Sequence, residues 1–488
     1  MKDASPSSLV PGLPEHLHLV GVGGAGLSGA ARILFERGHT ITGQDAAVTP
    51  FTESLLKLGI AVQSGESPAK LSAETQGLVR SAAVPLDDSQ VAAALATGLP
   101  VLKYAELLGL LAPQGRGLGV AGTHGKTTTS WLLYHALRGA GKAAGRGAPR
   151  AGALIGGTDR ELGTNAITPD DGGWFAMEAC EYDRSFLHLA PAGAVITNVE
   201  ADHLDYYGTL EAIEEAFARF ADRVDPNGLL VVGPDVAERV TNGARVPIWR
   251  LGHELKVELC GEERGCFHFR LIGPGWATPE VELGIPGAFN VENAALALGL
   301  VIGLCSREWH LDPRDVAEHA ARTIGEYKGA GRRFEPWGTI DGIEVIHDYA
   351  HHPTEVRVTV EAARRVSSGG PLHVLFQPHQ HSRTARFLGD FVESLRGVER
   401  VVVADVYGAR KHIDEVGAGS EELASRLRRA GVEALAGGDL NSSLEATLNR
   451  LPTDSTLLVL GAGDIDSIQD DLLEALSLRS TSQRRPVR

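Results

Sequence analysis

The stretch Val120–Leu133, VAGTHGKTTTSWLL, constrains the fold of this chain more than any other. An apolar strand end passes through Gly122 and Gly125 and turns helical at Lys126. Such a turn aims backbone N–H groups and a helix N-terminus at an anion, and it works at the carboxyl edge of a parallel sheet. The chain around it must therefore supply strands and crossover helices in alternation. The loop is shorter than the common phosphate loop, because Val120 stands five places before Gly125, where that loop needs glycine. The amides from Gly122 through Thr123, His124 and Gly125 to Lys126 would wrap β- and γ-phosphates. Lys126 would neutralise them, and Thr127, followed by Thr128, could ligate Mg²⁺.

The required alternation runs through most of the chain. HLHLVGVGGAGLSGAARILFERGHTITGQD reads as strand, glycine turn, helix and second strand, ending at Asp45. Pro and Gly in Leu110–Gly117 mark one boundary, and the Gly- and charge-rich Glu326–Gly338 marks another. A chain of 488 residues with 43% hydrophobic and 22% charged residues has the length for about three domains. The fold class predicted is α/β, with modules at 1–113, 114–328 and 329–488. A net charge of −16 argues against broad adhesion to nucleic acid. The four cysteines match neither a zinc nor a redox spacing. The N-terminus lacks an apolar signal core and no run of 18 apolar residues occurs, so a cytoplasmic protein without a membrane partner is expected.

Other clusters sit where strands end. Gly21, Gly23, Gly24, Ala25 and Gly26 open a helix carrying Ser28, with Asp45 closing the next strand. The turn suits the pyrophosphate of a dinucleotide or of a sugar nucleotide, and Asp45 could meet a ribose or base. Glu178 and Glu181, then Asp202 and His203, follow the next two strands of the second module. Carboxylates and an imidazole beside a phosphate loop can hold metal ions against triphosphate oxygens. In the third module HDYAHHPTEV brings Asp348, Tyr349, His351 and His352 together, and FQPHQHSRT brings His379, His381 and Arg383. Polar helix caps are the plain alternative there. Zinc is disfavoured because adjacent His351 and His352 point apart.

Taken in order, GTHGKTTT, TNVEADHLDYY, NVENA and RRFE resemble the Mur ligases, ATP-dependent amide-forming enzymes that build the peptidoglycan stem peptide. The resemblance runs from about His16 to Gly461–Asp464. It implies a Rossmann-like N-terminal domain for a UDP-sugar, a central P-loop ATPase domain with a mainly parallel sheet, and a Rossmann-like C-terminal domain. Within the family HLVGVGGAGLSG, DYAHHPTEV and FQPHQHSRT imply addition of L-alanine to UDP-N-acetylmuramate through an acyl phosphate. The implied partners are these two substrates and ATP with Mg²⁺, acting in a monomer or homodimer.

The resemblance also assigns roles. It implies that Lys126 holds the γ-phosphate and that Thr127, Glu178 and His203 bind Mg²⁺. Asn290 and Asn293 would contact adenine, Arg332 ATP and Asp348 the ribose side. His351, His379 and Arg383, with Tyr349, would lie where the two carboxylates meet. Four positions depart from the family pattern: Glu66, Phe289, His347 and Gln380. The helix after His203 also lacks the lysine that many relatives carbamylate, since no lysine occurs between Lys142 and Lys256. Four other readings stand beside this one: a murein tripeptide recycling ligase, a folylpolyglutamate synthetase, a nicotinamide-dependent oxidoreductase and a non-catalytic nucleotide switch.

Overall fold

Each glycine-ended apolar run becomes a strand in the computed structural model, which describes residues 9–65, 70–145, 147–367, 369–408 and 418–483. Glu66 lies outside the described residues. The first sheet comprises β1 (His16–Val20), β2 (Thr40–Asp45), β3 (Ala61–Ser64), β4 (Gly77–Arg80) and β5 (Val101–Lys103). It is parallel, in the order β3-β2-β1-β4-β5. The chain leaves β1 toward one side and later returns to the other, so the glycine turn sits at a switch point. Helix α1 (Ala25–Glu36) starts there.

The second sheet contains β6 (Gly117–Ala121), β7 (Gly152–Asp159), β8 (Thr164–Ile167), β9 (Phe175–Glu178), β10 (Gly193–Ile196), β11 (Leu229–Val232) and β12 (Ile248–Arg250). Its order is β12-β11-β10-β6-β9-β7-β8, with β7 and β8 forming an antiparallel hairpin. The phosphate loop leaves the interior strand β6 and enters helix α2 (Lys126–Ala144). A smaller sheet follows, built of β13 (Lys256–Glu263), β14 (Cys266–Gly273), β15 (Trp276–Ala277) and β16 (Val281–Pro286). Helix α3 (Phe289–Glu308) is, among the described residues, the one long and apolar enough to cross a membrane. Its apolar window is 89% buried inside the protein, which makes it a core helix.

The chain divides into two compact units, and the first holds the residues up to 260 with 268–282 and 292–328, so the first module and most of the second fall together. The reason is close packing of α1 on the β7–β8 hairpin. Gly29 lies so near the hairpin that a Cβ there would come within 2.5 Å of Leu154. Asn165 donates to the Ala25 carbonyl at 2.5 Å, and Arg32 donates to Thr164 at 2.8 Å.

The second unit holds 261–267, 283–291 and 329–488. Its sheet comprises β17 (Glu335–Ile340), β18 (Ile343–Asp348), β19 (Leu372–Phe376), β20 (Arg400–Ala404), β21 (Glu433–Gly438) and β22 (Thr456–Leu460). The order is β17-β18-β22-β19-β20-β21, parallel except where β17 runs against β18. Apolar layers cover both faces. Period-2 alternation along β18 explains one departure noted in the sequence. Ile343 and Val345 enter the layer around Trp337, and His347 follows them, fully buried with its ring 4.7 Å from that indole. His347 is thus a core residue, while its neighbour Asp348 belongs to the opposite face.

Candidate active site

The phosphate loop takes a shape that only glycine accepts at two points. Gly122 has φ +144° and Gly125 has φ +80°, and a Cβ at Gly125 would meet Asn293 Oδ1 at 2.7 Å. Gly125 offers no side chain to cap α2, which leaves the first-turn N–H groups to an anion. Two residues of the TNVEAD motif to which sequence reasoning gave no role fix the loop. Thr197 donates to the His124 carbonyl at 2.6 Å, and Asn198 accepts the His124 N–H at 2.8 Å. Their place just past β10 was the available signal.

Lys126 donates to the Gly122 and Thr123 carbonyls at 2.6 and 3.0 Å and pairs with the buried Glu181 carboxylate at 3.0 Å. Burial alone would lower the ammonium pKa, but the neighbouring charges, Glu181 first, raise it above its ordinary value. Lys126 is therefore a fixed cation at the mouth of the loop. Thr127 donates to Glu178 at 3.1 Å, and Gly156 of β7 donates its N–H to the same carboxylate at 2.8 Å. His203 enters at φ +50°, with Nε2 at 3.7 Å from Glu181 and 3.8 Å from Asp202. The Tyr207 hydroxyl donates to the Glu181 carbonyl at 2.5 Å and holds that segment in place. A hydroxyl, carboxylates and an imidazole beside a phosphate loop form the donor set of a hard divalent cation, and the residues fit Mg²⁺.

In the same unit the glycine turn is closed by its own neighbours. Gly21 and Val22 donate to the Gln44 carbonyl, and Gly23 donates to Asp45 Oδ2 at 2.7 Å. Asp45, expected from sequence to face a ribose or base, here folds back on the turn and also accepts the Ala47 N–H. The uncapped α1 N-terminus at Gly24, Ala25 and Gly26 provides the anion-facing amides. Gly26 is required by Tyr104, whose ring would lie 2.7 Å from a Cβ. Ser28 donates to the Ala25 carbonyl at 2.9 Å, inside the helix.

The second unit gathers the third-module residues into an aromatic ladder. The Arg332 and Arg333 guanidinium groups lie 4.6 and 5.1 Å from the Tyr349 ring centre. Tyr349 meets His351 at 5.4 Å between ring centres, and His351 meets His379 at 5.5 Å. Arg383, mostly buried, brings Nη1 to 3.3 Å from His379 Nδ1. Asp348 accepts the Phe334 and Ala350 N–H groups at 2.7 and 2.8 Å, tying the RRFE turn to β18; burial pushes its pKa up to about 6. Arg332 donates to the Gly463 carbonyl at 2.9 Å. His352 caps the helix Pro353–Val366 in a box with Glu355, so the plain reading of that histidine fits. Asn290 donates to the Pro286 carbonyl at 2.7 Å, and the Phe289 ring packs on Gly287. Gln380 takes φ +67° at the start of the helix His381–Arg386.

Residues 16–116, 120–301 and 332–463 match, respectively, the Mur ligase family catalytic domain, the Mur ligase middle domain and the Mur ligase glutamate ligase domain. A UDP-N-acetylmuramate–L-alanine ligase of Kineococcus radiotolerans is 38% identical over 478 residues, spanning 95% of this chain and 96% of that one. The chain belongs to the Mur ligase family. A relative of the same name from Rubrobacter xylanophilus is 35% identical over 94% of this chain and 100% of its own. Among solved structures, the UDP-N-acetylmuramate–alanine ligase of Thermotoga maritima matches with a TM-score of 0.76 and 25% identity, covering 96% of this chain and 99% of that one. The murein peptide ligase of Psychrobacter arcticus shares the fold at a TM-score of 0.69 and 22% identity, over 95% and 99% of the two chains.

Proposed function

We propose that this enzyme joins L-alanine to the carboxylate of UDP-N-acetylmuramate in peptidoglycan synthesis, with cleavage of ATP to ADP and phosphate. The observation that carries the reading is the pairing, in one compact unit, of a phosphate loop with a glycine turn suited to a sugar nucleotide. An oxidoreductase would leave Lys126 and its loop idle. The names of the long-range relatives support the same reading. The modules it assigns are 1–113 for the UDP-sugar, 114–328 for ATP and 329–488 for completion of the ligase, in a cytoplasmic monomer or homodimer.

A carboxylate is a poor electrophile. Its oxygen attacks the γ-phosphorus, the bond to ADP breaks, and an acyl phosphate forms. The neutral amine of L-alanine then attacks the acyl carbon, the tetrahedral adduct expels phosphate, and the amine gives up its extra proton. Lys126 stabilises charge on the transferring phosphoryl group, already fixed by Glu181 and the loop carbonyls. Thr127, Glu178 and His203 would hold Mg²⁺, which supplies charge neutralisation at the phosphates. Gly122–Thr128 wrap the phosphates, Asn290 and Asn293 read adenine, and Arg332 and Asp348 serve the nucleotide. Gly21, Gly23, Gly24, Ala25, Gly26, Ser28 and Asp45 serve the UDP-sugar. Arg383 and His379, with Tyr349, receive the amino-acid carboxylate, and His351 serves beside them where the two carboxylates meet.

Phosphate release tests the reading. It is expected to require both UDP-N-acetylmuramate and a small L-amino acid, with L-alanine best and no change in NAD(P)H absorbance. Equal release without the sugar nucleotide overturns it.

A second expectation follows from the helix Leu210–Ala221, which contains no lysine. Carbamylation needs a neutral amine, which an arginine side chain does not offer. The rate should be indifferent to thorough CO₂ removal. A loss reversed by added bicarbonate would contradict this.

A further inference from the structure

We infer that Tyr407 is a positioning residue for the amino-acid site: its ring sets the plane of His379 and, through His379, the aim of Arg383. The inference rests on the reading that His379 and Arg383 receive the L-alanine carboxylate. Tyr407 lies beyond β20, outside every motif quoted above.

Three features build the position. First, backbone bonds on both sides of His379 bind its segment to that of Tyr407. Tyr407 donates its N–H to the Pro378 carbonyl at 2.8 Å, and Gln380 donates to the Tyr407 carbonyl at 2.9 Å. This pairing also holds Gln380 at its positive φ of 67°. Second, the phenol ring stacks on the His379 imidazole, with 5.7 Å between ring centres and 19° between planes. Third, Gly463 admits that ring. A Cβ there would lie 2.5 Å from Tyr407 Cγ, so a side chain at 463 would displace the phenol.

The imidazole also meets the His351 ring, at 5.5 Å between ring centres and 65° between planes. His379 therefore contacts two rings, one stacked and one inclined. Its Nδ1 lies 3.3 Å from Arg383 Nη1. A guanidinium donates and cannot accept, so Nδ1 accepts and a neutral imidazole carries its proton on Nε2. The plane of His379 then fixes both the direction of that Nε2–H and the lateral position of the Arg383 fork. A planar fork binds a carboxylate well only when aligned with it. Stacking with Tyr407 thus converts into affinity for the amino acid. The phenol hydroxyl has no part in this.

The test is steady-state kinetics on the full-length enzyme, with KM measured separately for ATP, UDP-N-acetylmuramate and L-alanine. Tyr407→Ala is expected to raise KM for L-alanine about three- to tenfold, the scale of one aromatic pair. The other two KM values should stay within about twofold. Tyr407→Phe should restore the wild-type KM. Tyr407→Leu, which keeps apolar bulk over Gly463 but no aromatic face, should behave as Tyr407→Ala, and it decides the matter if the alanine variant fails to fold. An unchanged KM for L-alanine in Tyr407→Leu overturns the inference. So does an equal rise in all three KM values, which marks a merely structural residue, or a defect in Tyr407→Phe as large as in Tyr407→Leu. Arg383→Ala run in parallel separates this from the underlying reading. If it leaves KM for L-alanine unchanged, the carboxylate binds elsewhere and the site assignment itself falls. If it raises that KM while Tyr407→Leu does not, only the role of Tyr407 falls.

Discussion

Lys126→Ala is expected to lower turnover by at least about a hundredfold, roughly 3 kcal/mol of barrier, the usual cost of removing one charge aimed at a developing anion. The structure adds a second, separable effect. Lys126 is the ammonium partner of Glu181, whose side chain is 4% exposed. Without the ammonium that buried charge loses its partner, and breaking such a pair costs stability by several kcal/mol. Lys126→Ala is therefore expected to melt earlier as well as to stop turning over. The double variant Lys126→Ala, Glu181→Gln should recover most of the melting temperature and none of the turnover. Binding of UDP-N-acetylmuramate, measured by calorimetry, should survive in both, because the glycine turn is closed by Gln44 and Asp45 and docked through Asn165. Recovery of turnover in the double variant would show that Lys126 acts on fold rather than on phosphate.

How far the chain disclosed itself depended on whether a signal was local. The phosphate loop and the glycine turn are backbone shapes, and a shape that needs positive φ at Gly122 and Gly125 writes itself into the sequence. Strands flanking those turns followed, since a parallel sheet needs apolar runs between crossovers. Side-chain partners were less legible. Asp45 stands at a strand end, where a ligand group is expected, and in the structure its carboxylate also accepts the Gly23 amide. Nothing in GQD announced that bond, because it depends on how the β2 end curls toward the β1 turn. Glu181 stood out beside Glu178 past a strand end, but its pairing with Lys126 joins positions 55 residues apart. Tyr407 was invisible for the same reason: its partner Gly463 is brought up by β22, at the far end of the chain.

His347→Phe should separate two buried groups whose pH effects nearly cancel in the wild type. The imidazole is fully buried against Trp337, with Nδ1 at 3.0 Å from the Val459 carbonyl and Nε2 without a hydrogen-bond partner. Burial pulls its pKa down to about 4, with the Val459 bond and Asp466 opposing and Arg332 and Arg333 assisting. The unfolded chain takes up the proton near pH 6.5, so the stability His347 contributes is complete above that pH and is lost as pH falls toward 4. Asp348 runs the other way. Burial raises its carboxyl to about 6 from 3.8, against Arg333 and the Phe334 and Ala350 N–H groups. Its cost is therefore largest above pH 6 and is relieved as pH falls. Between pH 6.5 and 4 these two groups together should therefore add little net acid sensitivity. Phenylalanine removes one side of that balance. At pH 7 His347→Phe exchanges the Val459 bond for apolar contact and should lie within about 1 kcal/mol of wild type. At pH 5 it should exceed wild type by about 2 kcal/mol more than it does at pH 7. Hydrogen exchange of peptides over β18 and β22 reads this locally, which matters in a chain whose units need not unfold together. A stability difference that does not change with pH would mean that His347 titrates in the fold as it does in the unfolded chain.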